Sequence, residues 1–234
     1  MTEPSLWAVI PAAGVGARLG AGVPKQYLKL GDRYVIEWAI EAFSMHPRIR
    51  GVVVCLAADD GFWPSVSVAG SARVVATVGG QERCLSVSNG VGEVVRHDAN
   101  AWVLVHDAAR PCLSRADLDR LIDAALLDPV GAILALPVRD TMKRVDADGR
   151  IRATVDRAGL WHALTPQMFR AAPLLEALGH AIEAGALITD EAHAMELSGW
   201  QPRVLSGSRD NIKITYPGDL ALAEQTLRSL PREC

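Results

Sequence analysis

A glycine-rich stretch that carries two cations follows the first apolar run of the chain. Residues 11–30 read PAAGVGARLGAGVPKQYLKL and include Arg18 and Lys25. Glycines let a backbone approach a ligand closely, and a strand followed by a glycine-rich turn and a helix is the usual architecture of a phosphate cradle. Arginine can donate two parallel hydrogen bonds to phosphate oxygens, while lysine supplies a point charge. The stretch is therefore a candidate anion site suited to transfer at phosphorus.

The glycine spacing fits neither of the two common phosphate-binding motifs. The dinucleotide fingerprint G-x-G-x-x-G is missed by one residue, because Gly14 and Gly16 are followed by Gly20. No spacing here supplies the P-loop pattern G-x-x-x-x-G-K-[ST]. An ordinary tight turn with solvated cations stays open as the alternative. The late third glycine disfavours an NAD-dependent Rossmann enzyme.

A second candidate cluster is WVLVHDAARPCL, residues 102–113, which places Asp107 just beyond a buried apolar run. Ligands of open α/β sheets bind beyond the carboxyl ends of the strands. A carboxylate there could hold Mg²⁺ or another divalent cation, which binds phosphate oxygens through few protein ligands. The alternative is that Asp107 caps a turn before Pro111. We do not expect His106 to be a general base, because a phosphate monoester oxygen is already anionic near neutral pH.

Short apolar runs alternate with longer helical patterns along the chain. Buried strands are predicted at 6–10, 52–56, 74–78, 102–105 and 132–136. Helices are predicted at 34–45, 82–96, 115–127, 171–184, 189–198 and 217–229. This alternation predicts an α/β, three-layer sandwich around a mainly parallel, Rossmann-like sheet. Without a linker or an internal repeat, residues 1–234 are expected to form a single domain.

One stretch breaks the alternation. TMKRVDADGRIRATV, residues 141–155, alternates polar and apolar residues about Asp148-Gly149, which predicts a β-hairpin. A two-stranded hairpin is only marginally stable alone. We therefore expect residues 139–158 to form a protruding β-hairpin arm that packs outside its own sheet, with a second subunit as a natural partner.

Bulk composition excludes several classes of protein. A net charge of −3 gives no reason to expect nucleic acid or an anionic membrane as a partner. The longest late apolar run, 131–138, is far short of a membrane span, and the run at 6–10 is too short for a signal peptide. Four scattered cysteines without a C-x-x-C pair disfavour a metal cluster or a disulfide framework, so a cytoplasmic location is predicted.

Further motifs occur in a specific order along the chain. They are GGQERCLSV (79–87), HDAARP (106–111), DTMKR (140–144), LWHALTPQMF (160–169), TDEA (189–192) and DNIKIT (210–215). With the opening loop, this set resembles the 2-C-methyl-D-erythritol 4-phosphate cytidylyltransferases, nucleotidyltransferases of the non-mevalonate isoprenoid pathway. The resemblance runs from about residue 6 to residue 229. It implies transfer of the cytidylyl group of CTP to 2-C-methyl-D-erythritol 4-phosphate by a homodimer whose arms cross between subunits.

The resemblance also implies the site residues. Those expected in catalysis are Arg18, Lys25, Asp107, Arg157 and Lys213, with Asp107 also the ligand of a divalent cation such as Mg²⁺. Those expected to bind substrates are Pro11, Ala12, Ala13, Gly14, Gly16, Gly80, Gln81, Ser86, Ala108, Arg110, Thr141 and Thr165. Asp210 is a candidate second carboxylate near the metal. Gln81 departs from the aspartate that is common in the family, although an amide can still form hydrogen bonds.

Two other functions remain open from the sequence. A cytidylyltransferase for another polyol phosphate, such as ribitol 5-phosphate, looks similar through the opening loop and HDAARP. Such an enzyme should differ in the residues that bind the acceptor substrate, at 139–165 and 203–213. A nucleotide-binding regulatory protein without turnover is disfavoured by the full set of Arg18, Lys25, Asp107 and Lys213.

Overall fold

One central sheet organises the chain in its computed structural model, which describes residues 4–14 and 23–229. The strands in chain order are β1 Leu6–Pro11, β2 Lys29–Leu30, β3 Arg33–Tyr34, β4 Ile49–Leu56, β5 Val74–Val78, β6 Trp102–Val105, β7 Gly131–Pro137, β8 Met142–Val145, β9 Ile151–Val155, β10 Trp161–Arg170 and β11 Arg203–Ser206. Within the described residues, seven of them form the sheet, in the order β11-β7-β10-β6-β1-β4-β5. Only β10 runs antiparallel to its neighbours in that sheet. The prediction of a mainly parallel sheet is therefore confirmed.

Helices cover both faces of the sheet and complete the three predicted layers. They are α1 Val35–Ser44, α2 Arg83–His97, α3 Arg115–Leu127, α4 Ala171–Glu183, α5 Glu191–Leu197 and α6 Pro217–Ser229. Alternate residues of each strand point to opposite faces. Ala8 and Ile10 of β1 pack with residues of α1 and α3, while Trp7 and Val9 pack with residues of α2, α4 and α5. Because both faces of the sheet are covered, the inner strands are continuous apolar runs in the sequence. This pattern is the one from which they were predicted.

Two strands of the sheet were not predicted. β10 contains Pro166 in its interior, and a proline in an apolar run argues against a strand because it lacks a backbone N–H donor. Its register against β7 is broken between Ala163 and Gln167, which is where the proline lies. β11 has only four residues, is largely exposed and lies at the edge of the sheet, so it carries no buried apolar run.

The predicted hairpin is present as β8 and β9, which pair antiparallel. Gly149 has a φ of +77°, a conformation that favours glycine, and the Asp146 carboxylate accepts hydrogen bonds from the backbone N–H groups of Asp148 and Arg150 at 3.1 and 2.9 Å. The side chains of both strands are almost all exposed, and neither strand joins another described sheet. Its function as a dimerisation arm stays a prediction.

The carboxyl ends of the parallel strands place three loops at one edge of the sheet. The loop after β1 is tied to β4 by the bond from Ala12 N–H to the Cys55 carbonyl (2.8 Å). The loop after β5 is tied to β4 by Gly79 N–H and the Leu56 carbonyl (2.7 Å), and the loop after β6 is tied to β1 by His106 N–H and the Val9 carbonyl (2.9 Å). In the described part of the chain, no helix has the length and apolarity needed to cross a membrane.

Candidate functional site

A pocket lies at this edge of the sheet, where ligands of open α/β sheets bind. Loops after β1, β5 and β6 form most of its wall. The described residues that line it are Pro11, Ala12, Ala13, Gly14, Lys25, Gln26, Gly80, Gln81, Glu82, Arg83, Ser86, Asp107, Ala108, Ala109 and Lys213. The structure thus brings together most of the residues that the sequence predicted for the nucleotide. The predicted Arg18 and Gly16 lie outside the described residues.

The loop after β1 is held by a buried glutamine that the sequence analysis missed. The Gln26 side-chain amide donates to the carbonyl oxygens of Ala12 (2.7 Å) and Gly14 (3.0 Å). Gln26 belongs to a short 3-10 helix, Lys25–Tyr27, and the next residue donates its phenolic hydroxyl to the Asp60 carboxylate at 2.6 Å. Lys25, which lines the pocket, therefore begins a turn whose next two residues are both anchored.

The loop after β5 approaches the loop after β1 closely. A Cβ atom on Gly79 would lie 2.7 Å from the Cβ of Ala13, so only glycine permits this contact. The buried Ser86 hydroxyl accepts a hydrogen bond from the Gly80 N–H at 3.0 Å, which fixes the start of α2 against the loop. Gln81 is exposed at the pocket rim, so its amide is accessible to a ligand.

Asp107 is the electrostatic centre of the pocket. Its carboxylate is surrounded by Lys213 Nζ (2.9 Å), Arg83 Nε (3.1 Å) and Arg110 Nε (3.3 Å). Burial alone would raise the pKa of Asp107, but Arg83 and then Lys213 and Arg110 hold that pKa well below its ordinary value. Asp107 is therefore ionised at any physiological pH. Among the described residues, the pocket lining carries three cationic side chains, Lys25, Arg83 and Lys213, and two carboxylates, Glu82 and Asp107.

His106 has a structural role, because it holds neighbouring residues by hydrogen bonds. Its Nε2 lies 3.0 Å from the Arg110 carbonyl, which can only accept, so Nε2 carries the proton. Its Nδ1 then accepts from the Thr165 hydroxyl (3.0 Å), and that hydroxyl accepts from the Asp107 N–H (3.1 Å). Complete burial lowers the pKa of His106 to about 4. The ring is thus neutral, and both of its nitrogens hold neighbouring structure.

The predicted acceptor residues fall into two groups. Arg110 and Thr165 are buried directly behind Asp107, and Arg110 Nη1 also donates to the Asn211 carbonyl at 2.7 Å. Thr141 and Arg157 are exposed at the base of the hairpin, before β8 and after β9. None of these four residues is among the described residues that line the pocket. The Arg157 guanidinium instead donates to the backbone carbonyl of Arg139.

Asp210 does not join Asp107 in the described pocket. It is exposed, and its carboxylate accepts from the hydroxyl of Ser208 at 3.2 Å. Among the described residues, no group of three or more His, Cys, Asp or Glu side chains could hold a metal ion. The two carboxylates of the lining, Asp107 and Glu82, fit Mg²⁺, which is held through one or two carboxylates and takes its other ligands from water and substrate phosphates. They do not fit an all-protein Zn²⁺ or Ca²⁺ cage.

Sequence reasoning missed three side chains that organise the site, namely Gln26, Arg83 and Glu191. Arg83 Nη1 lies 2.6 Å from the Glu191 carboxylate, while its Nε reaches Asp107. Arg83 and Glu191 belong to the motifs GGQERCLSV and TDEA. These motifs are the sequence signal that could have identified the two residues. No spacing rule could pair them, because they lie more than a hundred residues apart.

Comparisons with known proteins show the family of the chain. The family model described as "IspD: 2-C-methyl-D-erythritol 4-phosphate cytidylyltransferase" matches residues 6–229. The protein of that name from Pseudomonas aeruginosa is 54% identical over 219 residues, which are 93% of this chain and 94% of the relative.

Solved structures are similar over nearly the whole chain. One described as 4-diphosphocytidyl-2C-methyl-D-erythritol synthase matches with a TM-score of 0.84 at 38% identity, covering 96% of this chain and 100% of its own. The 2-C-methyl-D-erythritol 4-phosphate cytidylyltransferase of Francisella tularensis matches with a TM-score of 0.84 at 31% identity, covering 95% and 99%.

Proposed function

Because the chain belongs to the 2-C-methyl-D-erythritol 4-phosphate cytidylyltransferase family, we propose that the pocket around Asp107 is its active site. The chain is a nucleotidyltransferase that joins the cytidylyl group of CTP to 2-C-methyl-D-erythritol 4-phosphate in the non-mevalonate isoprenoid pathway. The products are 4-diphosphocytidyl-2-C-methyl-D-erythritol and pyrophosphate. The observation that carries the assignment of the site is the meeting of Arg83, Arg110 and Lys213 about the ionised Asp107, in a pocket that Lys25 also lines.

The reaction is an in-line displacement at the α-phosphorus of CTP. An oxygen of the acceptor phosphate forms the new O–P bond, and the bond from the α-phosphorus to the oxygen bridging to the β-phosphorus breaks. That oxygen leaves with pyrophosphate. The attacking oxygen is already anionic, so no general base is needed, and this agrees with a neutral, doubly hydrogen-bonded His106.

Charge neutralisation is the main task of the protein in this reaction. Two phosphorylated substrates repel each other, and negative charge accumulates on the leaving pyrophosphate. Lys25 is fixed by its anchored turn and stabilises the triphosphate, together with Arg18 of the same loop. Donors held in place before the reaction cost no reorganisation when the charge develops, and such donors supply large rate effects.

We place the divalent cation on Asp107. When bound there, it would neutralise part of the negative charge of the CTP phosphates. Asp107 is kept ionised for this by Arg83, Lys213 and Arg110. Glu82 is a second carboxylate in the lining of the pocket, and it is exposed.

The nucleotide is held by the loops after β1 and β5. Backbone groups of residues 11–14 and of Gly80 border the pocket, with Gln81, Ser86 and Ala108 beside them. Backbone N–H and C=O groups in fixed positions can distinguish the N4 amino donor of cytosine from the O4 acceptor of uracil. Ser86 orients the Gly80 amide for this task.

The acceptor site needs a second chain. Arg110 and Thr165 support Asp107 from behind, and Lys213 reaches the pocket from the segment before α6. Thr141 and Arg157 are exposed on the hairpin arm of residues 139–158. We infer that the arm crosses to the partner in a homodimer and brings Thr141 and Arg157 to the acceptor phosphate there.

A pyrophosphate-release assay tests the assignment. The purified chain is offered CTP, UTP, ATP and GTP with 2-C-methyl-D-erythritol 4-phosphate, and CTP with ribitol 5-phosphate, each with Mg²⁺. We expect turnover with CTP and the methylerythritol phosphate, and at least ~100-fold lower kcat/KM for the other pairs, since buried donors and acceptors discriminate strongly. Preference for ribitol 5-phosphate would reassign the acceptor. Nucleotide binding without pyrophosphate release would contradict the enzymatic function.

A further inference from the structure

Arg83 links two carboxylates that come from distant parts of the chain. Its Nε lies 3.1 Å from Asp107 Oδ1, while Nη1 and Nη2 lie 2.6 and 3.2 Å from the two oxygens of Glu191. Three separate motifs, GGQERCLSV, HDAARP and TDEA, therefore meet at one guanidinium. The reaction scheme above gives TDEA no role, so this meeting point requires an explanation of its own.

Glu191 cannot act on a substrate directly. Its side chain is 1% exposed, and it does not line the described pocket. It is the first residue of α5, and that end of the helix is attached to β10 through Gln167. The Gln167 amide donates to the Asp190 carboxylate (2.9 Å) and accepts from the Ala192 N–H (2.8 Å). Burial raises the pKa of Glu191, and the Arg83 guanidinium opposes that rise by stabilising the charged form. Glu191 is therefore a fixed, buried carboxyl group on a fixed helix end, and its ionised form depends on Arg83.

The Arg83 guanidinium is well suited to relay the fixed position of Glu191 to Asp107. A guanidinium is planar and presents its five N–H donors in a rigid fork, so two of them can bind Glu191 while Nε is directed elsewhere. Lysine has a single ammonium on a flexible stem and cannot bind both carboxylates with this geometry. The Nε donor in turn fixes Oδ1 of Asp107, while Lys213 and Arg110 both contact Oδ2.

We propose that Arg83, held in a two-pronged contact by the buried Glu191, is a positioning residue that sets the orientation of the Asp107 carboxylate. The proposal rests on the proposed function, because it assigns the orientation of a residue that acts there. Without the charge on Glu191, the guanidinium is free to turn toward a bound phosphate. Asp107 then keeps only its contacts to Oδ2, and its carboxylate rotates.

Kinetics separate positioning from nucleotide binding. Partners that orient a functional carboxylate usually change activity by ~10–100-fold when they are replaced. We expect Glu191→Gln and Arg83→Lys to lower kcat by about tenfold or more while the KM for CTP changes by less than about threefold. The double variant should be no worse than Arg83→Lys alone, because the two residues act as one unit.

Matched control variants lie on the same helices. Arg96→Lys changes the same residue type in α2, and Glu196→Gln changes the same residue type in α5; both positions are exposed. Both controls should leave kcat unchanged. Thermal unfolding of every variant shows whether a lower rate is caused merely by a smaller amount of folded protein.

A spectroscopic readout needs neither substrate nor metal. The Nε–H group of Arg83 donates to Asp107, so its ¹⁵N–¹H signal in the ligand-free protein should exchange slowly with water; Arg83→Lys removes the signal and thereby assigns it. Glu191→Gln should speed this exchange by about tenfold or more, because the fork that immobilises the guanidinium is lost.

The outcomes are distinct. Unchanged exchange of the Arg83 signal in Glu191→Gln, or unchanged kcat in both variants, would overturn the proposal. A raised KM for CTP at normal kcat would also overturn it, by assigning Arg83 to nucleotide binding. If Glu191→Gln does not fold, Arg83→Lys carries the kinetic test. If the wild-type chain releases no pyrophosphate, the proposed function fails, while the exchange result still reports the Arg83 contact.

Discussion

The two halves of the site differ in how completely one chain builds them. The half assigned to the nucleotide is assembled from loops of the central sheet, with Gln26 and Ser86 fixing backbone groups and three cations around Asp107. The half assigned to the acceptor is divided. Arg110 and Thr165 are buried behind Asp107, whereas Thr141 and Arg157 are exposed on a hairpin that joins no other described sheet.

This difference has a physical origin. A parallel sheet covered on both faces directs every loop at its carboxyl edge toward one place, so a nucleotide site there needs only one chain. A two-stranded hairpin with exposed faces is marginally stable alone and gains from packing on another surface. We therefore predict that nucleotide binding is a property of the single chain, and that use of the acceptor depends on the proposed dimer.

The largest effect should come from the nucleotide half. Lys25→Ala should lower kcat by on the order of a hundredfold or more, because a fixed cation at the triphosphate is lost. The measurement is steady-state pyrophosphate release at saturating concentrations of both substrates. Lys29→Ala is the control, since Lys29 is an exposed lysine just beyond the same turn. Near-normal turnover of folded Lys25→Ala protein would remove Lys25 from the mechanism.

A smaller and more selective effect should come from the arm. Arg157→Ala should raise the KM for the methylerythritol phosphate by about tenfold and leave the KM for CTP nearly unchanged, because one charge-assisted contact to the acceptor is lost. Arg152→Ala is the matched control, since Arg152 is an exposed arginine in β9 of the same arm. A change confined to the KM for CTP would contradict the division into two halves.

The smallest effect concerns the anchoring of the Lys25 turn. Burial, and then the hydrogen bond to Asp60, raise the pKa of Tyr27 far above its ordinary value of 10.0. The phenol therefore stays protonated in the folded chain while the unfolded chain ionises. Its contribution to stability is present below pH 10 and declines as the pH rises above 10. Tyr27→Phe should lower the free energy of unfolding by ~1–2 kcal/mol at pH 8.

Urea unfolding at pH 8 and at pH 10.5 measures this effect. The difference in stability between the wild type and Tyr27→Phe should shrink at the higher pH. Tyr216→Phe, which changes an exposed tyrosine, should show no such difference at either pH. A Tyr27→Phe difference that grows with pH would contradict the assignment.

Much of the fold could be predicted because its signals are local. Continuous apolar runs marked β1, β5 and β6, and helical periodicity marked α3 at its observed bounds. The prediction that the strand at 74–78 is buried was wrong, because β5 lies at the edge of the sheet and is half-exposed. β10 was missed because its pairing depends on β6 and β7, which accept a strand that contains a proline at a break in register. Such long-range pairing leaves little local trace in a sequence.

The candidate site was predictable to the extent that motifs mark it. Asp107, Lys213 and the loop residues 11–14 were identified from their motifs, and the described pocket contains them. The contacts of Arg83 with Glu191 and of Gln26 with Ala12 and Gly14 were not predictable, because they join distant segments through buried hydrogen bonds. Residue type and motif membership show that a side chain matters, whereas only the fold shows what it contacts.

Mixing two impaired variants tests most directly whether one site draws on two chains. Lys25→Ala and Arg157→Ala proteins are combined in equal amounts, allowed to exchange subunits, and assayed with CTP and a subsaturating concentration of the methylerythritol phosphate. If Lys25 and Arg157 of one site come from different chains, half of the dimers are mixed and each mixed dimer has one intact site. The account then predicts recovery of about a quarter of the wild-type activity. A mixture no more active than the mean of the two separate variants would contradict it.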